Sequence, residues 1–124
     1  MVIVSESPAR THTTPIATMF GLAAPSQGSS HLSTWRIRME SPQSPPPHSI
    51  DRDQVWMPTS GAFSFTVDGE TSVVRPGQAL LVPAGSTRHF HAVEDGTEAL
   101  VCMCPGGRAT MLSTGVVYDL PWTE

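Results

Sequence analysis

Side chains able to move protons or hold oxygen atoms gather mainly in two stretches of this chain. The first is His48-Ser49-Ile50-Asp51-Arg52-Asp53-Gln54, and the second is Arg88-His89-Phe90-His91-Ala92. An imidazole titrates near neutral pH and can act as general base or acid. A glutamine amide can orient a carbonyl or hydroxyl, and a guanidinium can bind a carboxylate or stabilise an oxyanion. Asp51 and Asp53 flank Arg52 as a candidate acid/base pair, although loop charges are ordinarily solvated. His12 and His31 sit in polar segments and carry no signal. Cys102 and Cys104 share one face of a strand, about 7 Å apart, too far for easy disulfide geometry. They are expected as reduced thiols in the core or lining a pocket. The chain has no G-x-S-x-G, phosphate-cradling loop or dinucleotide fingerprint, which sets those enzyme classes aside.

The elements that must position these groups read as short strands. Leu32 to Met39 alternates, with Trp35, Ile37 and Met39 on one face and Arg36 and Arg38 on the solvent face. Ser41 to Pro47 holds four prolines and delivers the chain stiffly to His48. Gln54 to Met57 is a strand, turned by Thr59-Ser60-Gly61, and Ala62 to Val67 puts Phe63, Phe65 and Val67 on one face. Asp68-Gly69 is a two-residue hairpin signal, with Glu70 to Val74 as the returning strand. Gln78 to Val82 reads as a buried strand, and Arg88 to Val93 and Glu98 to Cys104 as further strands. Residues 1–15 are an arm or edge segment. In the tail, residues 108–124, Val116-Val117-Tyr118 offers a further edge strand and Pro121-Trp122 a means of packing it down.

Composition agrees. With 124 residues, 12 prolines and 10 glycines, one all-β sandwich or barrel domain is expected, with no supported helix. A net charge of −4 and seven scattered arginines as the only cationic side chains argue against nucleic-acid binding. No apolar run approaches the ~20 residues of a membrane span, and Met1 to Glu6 has no basic n-region ahead of an apolar stretch. The expected location is therefore the cytoplasm.

Two glycine–proline frames carry a further signal. Gly77 is followed by five residues, Pro83-Ala84-Gly85, two residues, Arg88, three residues and Ala92. Earlier, His48, Ile50 and Gln54 precede Gly61 by the intervals of G-x5-H-x-H-x3-E-x6-G. This layout resembles the cupin family, whose second motif is G-x5-P-x-G-x2-H-x3-N, and fifteen residues separate Gly61 from Gly77. The resemblance spans about residues 33–107. It implies a double-stranded β-helix (jelly-roll) barrel occupying residues 1–124 as one domain.

The resemblance also implies a site. Metal-binding cupins ligate through His, His, Glu and His, and those positions are here His48, Ile50, Gln54 and Arg88. Ile50 cannot ligate, and Arg88 would repel a divalent ion. The expectation is thus a metal-free pocket in which His48 moves a proton while Gln54 and Arg88 hold and polarise oxygen atoms. Trp35, Trp56 and Phe90 would bind the substrate as an apolar wall. Such a pocket suits a cyclase- or isomerase-type step on a small molecule, as in cupins that tailor natural-product intermediates. One alternative is a rebuilt site for Fe, Ni, Cu or Zn using His48, Gln54, His89 and His91, which requires a one-residue bulge to turn both histidines inward. Another is a non-catalytic ligand-binding module. A homodimer, as cupins commonly form, is expected.

Overall fold

At Asp68-Gly69 the backbone turns with positive φ at both residues, 48° and 84°, and Val67 pairs directly with Glu70 across the turn. This is the two-residue hairpin geometry whose twist matches its strands. Comparable corners recur through the computed structural model, which describes all 124 residues.

The strands in chain order are β1 (Thr11–Thr13), β2 (Thr18–Gly21), β3 (Ser33–Met39), β4 (His48–Ile50), β5 (Gln54–Ser60) and β6 (Phe63–Val67). They continue as β7 (Glu70–Val74), β8 (Leu80–Val82), β9 (Arg88–Ala92), β10 (Thr97–Met103), β11 (Arg108–Met111) and β12 (Val117–Asp119). Two six-stranded sheets result, ordered β1-β2-β3-β10-β5-β8 and β12-β11-β4-β9-β6-β7, with every pairing antiparallel. No helix is long and apolar enough to cross a membrane.

Alternation decides what enters the space between the sheets. Trp35, Ile37 and Met39 of β3, Gln54 and Trp56 of β5, and Arg88, Phe90 and Ala92 of β9 are buried. At the centre Trp56 meets Phe63, Phe65 and Phe90 with ring centroids 5.5, 4.9 and 4.8 Å away. Burying each such ring is worth roughly 1.5–3 kcal/mol. Aromatic pairs of this kind add about 0.5–1.5 kcal/mol each.

Several local expectations need correction. Gln78 to Val82 is not a buried strand: it shortens to β8 at a sheet edge, where only Val82 is buried and Leu81 is 60% exposed. An edge strand this short has one inward position, so its other apolar residues stay outside. Cys102 and Cys104 are free thiols, but they lie in neither the core nor the cavity described below; Cys102 is half-buried and Cys104 exposed. Residue parity on β10 explains this, since Val101 and Met103 take the inward positions. Arg36 is not simply solvated. It sits 3.7 Å from the Phe20 ring centroid and forms ion pairs with Glu6, at 2.8 Å, and Glu98. Those contacts tie the N-terminal arm to the outer face of the sheet.

Both termini gain structure. The arm contributes edge strand β1, and β2 is an element that short polar and aromatic residues did not advertise. The tail forms β12 over Val117–Asp119, followed by a 3-10 turn at Pro121–Thr123. Ser33 Oγ donates to the Thr123 carbonyl, which holds the end of the chain against the start of β3.

Candidate functional site

Between the sheets lies a cavity of about 260 Å³, lined by 16 residues of which 11 are hydrophobic. Trp35 and Ile37 come from β3, Trp56 from β5 and Phe90 from β9. The expected apolar wall of Trp35, Trp56 and Phe90 is therefore assembled on this cavity. The two terminal regions complete it, one with Ile16, Ala17 and Met19 and the other with Tyr118, Leu120 and Trp122. These terminal residues were missed as site residues. Their signal was present, since Tyr118, Leu120 and Trp122 alternate, but nothing in that spacing says which sheet the tail covers.

His48 lines the cavity, delivered by the proline run. Its Nδ1 lies 2.9 Å from the carbonyl oxygen of Pro46. A carbonyl can only accept, so Nδ1 carries the proton and the neutral ring keeps Nε2 as its free acceptor. Burial pushes the His48 pKa below its ordinary value; the Pro46 hydrogen bond opposes this, and the charge of Arg88 reinforces it. Neutral imidazole with one uncommitted nitrogen is the form a general base requires.

Gln54 and Arg88 form a buried, hydrogen-bonded polar pair. Gln54 is buried and lines the cavity. Its Oε1 accepts from Trp56 Nε1 at 3.1 Å and from Arg88 Nη1 at 3.1 Å. Both partners are pure donors, which fixes the amide with oxygen towards them and Nε2 towards Met103 Sδ, at 3.5 Å. Thioether sulfur is a weak acceptor, so the Nε2 donors remain poorly used.

Arg88 is 0% exposed and does not line the cavity. Besides Gln54, its guanidinium donates to the carbonyls of Pro83, at 3.2 Å, and Ser86, at 3.3 and 3.4 Å. None of these partners is an anion. Burial accordingly pushes its pKa down to about 10, with the negative charge of Asp68 pulling the other way. The side chain remains a cation at neutral pH, one layer behind the Gln54 amide.

His89 and His91 do not join this group. They occupy the alternate positions of β9, opposite Thr66 and Ser64 of β6, while Arg88, Phe90 and Ala92 point into the core. The bulge needed to turn them inward does not occur: β9 pairs with β6 in unbroken register from Arg88 to Ala92. A set of His48, Gln54, His89 and His91 is therefore not brought together, and no cluster of three His, Cys, Asp or Glu forms elsewhere. The remaining donors do not suit a divalent ion. Ile50 has none, the Gln54 oxygen already serves two N–H groups, and Arg88 is itself a cation. Asp51 and Asp53 are spent on structure: they accept from the backbone N–H of Arg108 and Ala84, each at 2.7 Å.

Similarity to known proteins bears on the family. In sequence, the chain is 36% identical over 59 residues to an uncharacterized protein of Streptomyces coelicolor. That match takes in 48% of this chain and 54% of the relative, so the chain spans about half the length of the curated relative it matches. In structure, it resembles KdgF from a Halomonas species with a TM-score of 0.69 at 18% identity, covering 81% of this chain and 91% of that one. A sugar phosphate isomerase of the cupin superfamily from Silicibacter pomeroyi gives a TM-score of 0.69 at 20% identity, over 93% and 78% of the two chains. Salicylate 1,2-dioxygenase from Pseudoaminobacter salicylatoxidans gives 0.68 at 16%, over 83% of this chain and 31% of that one. At such identities these likenesses speak for the fold alone. Residues 35–105 match the Cupin domain family, and with the paired jelly-roll sheets this places the chain in that family.

Proposed function

We propose that this cupin is an enzyme that converts a small, largely apolar organic molecule by acid–base chemistry, in an isomerase- or cyclase-type step that uses no metal. The observation that carries this reading is His48: a neutral imidazole in an apolar cavity, its Nδ1–H committed to the Pro46 carbonyl and its Nε2 free. In such a step Nε2 takes a proton from an acidic C–H or O–H and returns it to another atom of the same molecule. Trp35, Trp56 and Phe90 hold the apolar body, and the Nε2 donors of Gln54 hold an oxygen atom. The lining carries no cationic side chain, which favours a neutral or weakly acidic substrate over a phosphorylated sugar. Biosynthesis of natural products is the setting we favour.

Replacement of His48 by Ala tests this directly. Turnover of a substrate found by screening enolisable ring compounds should be abolished, while ligand binding is weakened but measurable. Elemental analysis of tag-free protein accompanies it. Near-stoichiometric Fe, Ni, Cu or Zn that disappears in His48→Ala would defeat the metal-free reading.

Two wider readings go with this one. Leu81, Met57 and Leu100, at 60%, 37% and 39% exposure, lie close together on the outer face of the β10-β5-β8 region. We take that face as the contact of a homodimer, and a monomeric mass by light scattering would count against it. The free thiols suit a reducing compartment, and the cytoplasm is the proposed location, to be checked by cell fractionation.

A further inference from the structure

We infer that the cavity takes its ligand as an anion, the conjugate base of a weakly acidic O–H on an aromatic or enolised ring, and that Arg88 selects this form through Gln54. The inference rests on the acid–base reading for the choice of cavity, but it concerns a property that reading does not supply.

Two observations carry it. First, Arg88 is fully buried, and all four of its hydrogen bonds go to neutral oxygens. A buried cation satisfied only by dipoles leaves a positive field that a neighbouring negative charge would relieve. Secondly, the cavity-lining group hydrogen-bonded to that cation is the Gln54 amide, whose orientation is fixed. Its oxygen faces the guanidinium, so its N–H groups are polarised away from that cation; Nε2 makes a single hydrogen bond, to the weak acceptor Met103 Sδ at 3.5 Å, which leaves donor capacity for a ligand.

The remaining charges do not cancel this field. Of the residues lining the cavity, only His48 and Tyr118 titrate. Burial lowers the pKa of His48 and raises that of Tyr118, so both are neutral at pH 7. Asp68, at the β6–β7 turn, acts on Arg88 from outside the lining and only partly offsets the effect of burial.

Shape restricts the ligand further. A dry apolar cavity of about 150 Å³ accepts benzene, so about 260 Å³ has room for a fused bicyclic ring. An oxyanion bound to Gln54 Nε2 would lie roughly 6–8 Å from the guanidinium. At an effective dielectric constant of ~20, that separation lowers the pKa of the bound O–H by about 1–2 units. The released proton leaves to solvent, and His48, its pKa lowered by burial, stays neutral.

The test uses two chromogenic weak acids, 4-nitrophenol and 7-hydroxycoumarin, whose anions are read by absorbance. The pH midpoint of the bound dye is measured at saturating protein in wild type, Arg88→Met, Gln54→Glu and His48→Ala. The midpoint should lie about 1–2 units lower in wild type than in Arg88→Met, and at least as far below Gln54→Glu, where a carboxylate neutralises the guanidinium in place. His48→Ala should keep the wild-type midpoint, because the imidazole it removes is neutral. If Arg88→Met fails to fold, Gln54→Glu decides alone. Equal midpoints in wild type and the charge variants would overturn the inference, as would failure of both dyes to bind wild type at millimolar concentration. A lowered midpoint without any turnover leaves the anion site standing and removes the enzyme reading; turnover with an unshifted midpoint does the reverse.

Discussion

Gln54→Glu should make this protein more stable at neutral pH while weakening its hold on an anionic ligand. In the wild type the Arg88 guanidinium is buried among neutral acceptors, and burial pushes its pKa down to about 10. That lowering corresponds to about 3 kcal/mol of unfavourable burial borne by the folded cation. A carboxylate at position 54 would accept from the same two donors, Arg88 Nη1 and Trp56 Nε1, each now 3.1 Å from Gln54 Oε1. Attraction across about 3 Å at an effective dielectric constant of ~20 is on the order of 5 kcal/mol. Desolvating the carboxylate takes back several kcal/mol, leaving a gain of roughly 1–2 kcal/mol. For a chain of this size, Tm should rise by about 3–6 °C per kcal/mol. The sign with pH is also set. The introduced carboxylate has a folded pKa depressed below its unfolded value of about 4.3, so its contribution is present above that pH and is lost as pH falls through the folded value. Thermal melts of both proteins from pH 4 to 8 are the assay. A destabilised variant at pH 7, or a gain that grows on acidification, would refute the view of Arg88 as an uncompensated buried cation.

Two further expectations follow from the same geometry. His48 has a folded pKa below 6.5 because burial outweighs its bond to Pro46, so its contribution to stability is complete above pH 6.5 and is lost as pH falls towards the folded value. The acid limb of kcat/KM should accordingly have its midpoint below 6.5, and a midpoint above it would show that the imidazole is not the base. Gly61→Ala should cost roughly 2–3 kcal/mol by denaturant unfolding: the residue sits at φ 70°, and a Cβ there runs into the Thr97 side chain, whose Oγ1 donates to the Glu94 carbonyl at 2.7 Å. A loss below 0.5 kcal/mol would mean that this corner relaxes freely.

The barrel was legible because its signals are local. Period-two alternation placed Trp35, Gln54, Trp56 and Arg88 inward, and residue identity alone set the Asp68-Gly69 hairpin. The segment length after Pro83-Ala84-Gly85 predicted Arg88 rather than His89 on the inner face, as the β9 register has it. What could not be read is what depends on partners distant in sequence. Ser33 anchors to Thr123, and Trp122 reaches the same cavity as Ile16, contacts that no periodicity within either segment encodes. The distinction between lining a cavity and lying behind its lining is likewise three-dimensional. The motif spacing groups His48, Gln54 and Arg88 as equals, yet only His48 and Gln54 line the cavity, while Arg88 lies behind it, bonded to Gln54.

That layering gives the two substitutions at the family's motif positions a joint physical meaning. Where metal-binding cupins carry Glu and His, this chain carries Gln54 and Arg88. Taken singly, either would be a loss: an amide is a poorer metal ligand than a carboxylate, and a guanidinium is no ligand at all. Taken together they leave a buried positive charge beside the cavity lining, covalently part of the chain. A carboxylate beside that charge would quench it, whereas the Gln54 amide leaves it in place, with oxygen to Arg88 and Nε2 to the weak acceptor Met103 Sδ. On the proposed reading the pair would supply what an oxyanion needs, a positive field and N–H donors, with the neutral His48 as the base of the turnover step. The cost is a buried cation without a counter-ion, which is why repairing it by Gln54→Glu should trade ligand recognition for stability.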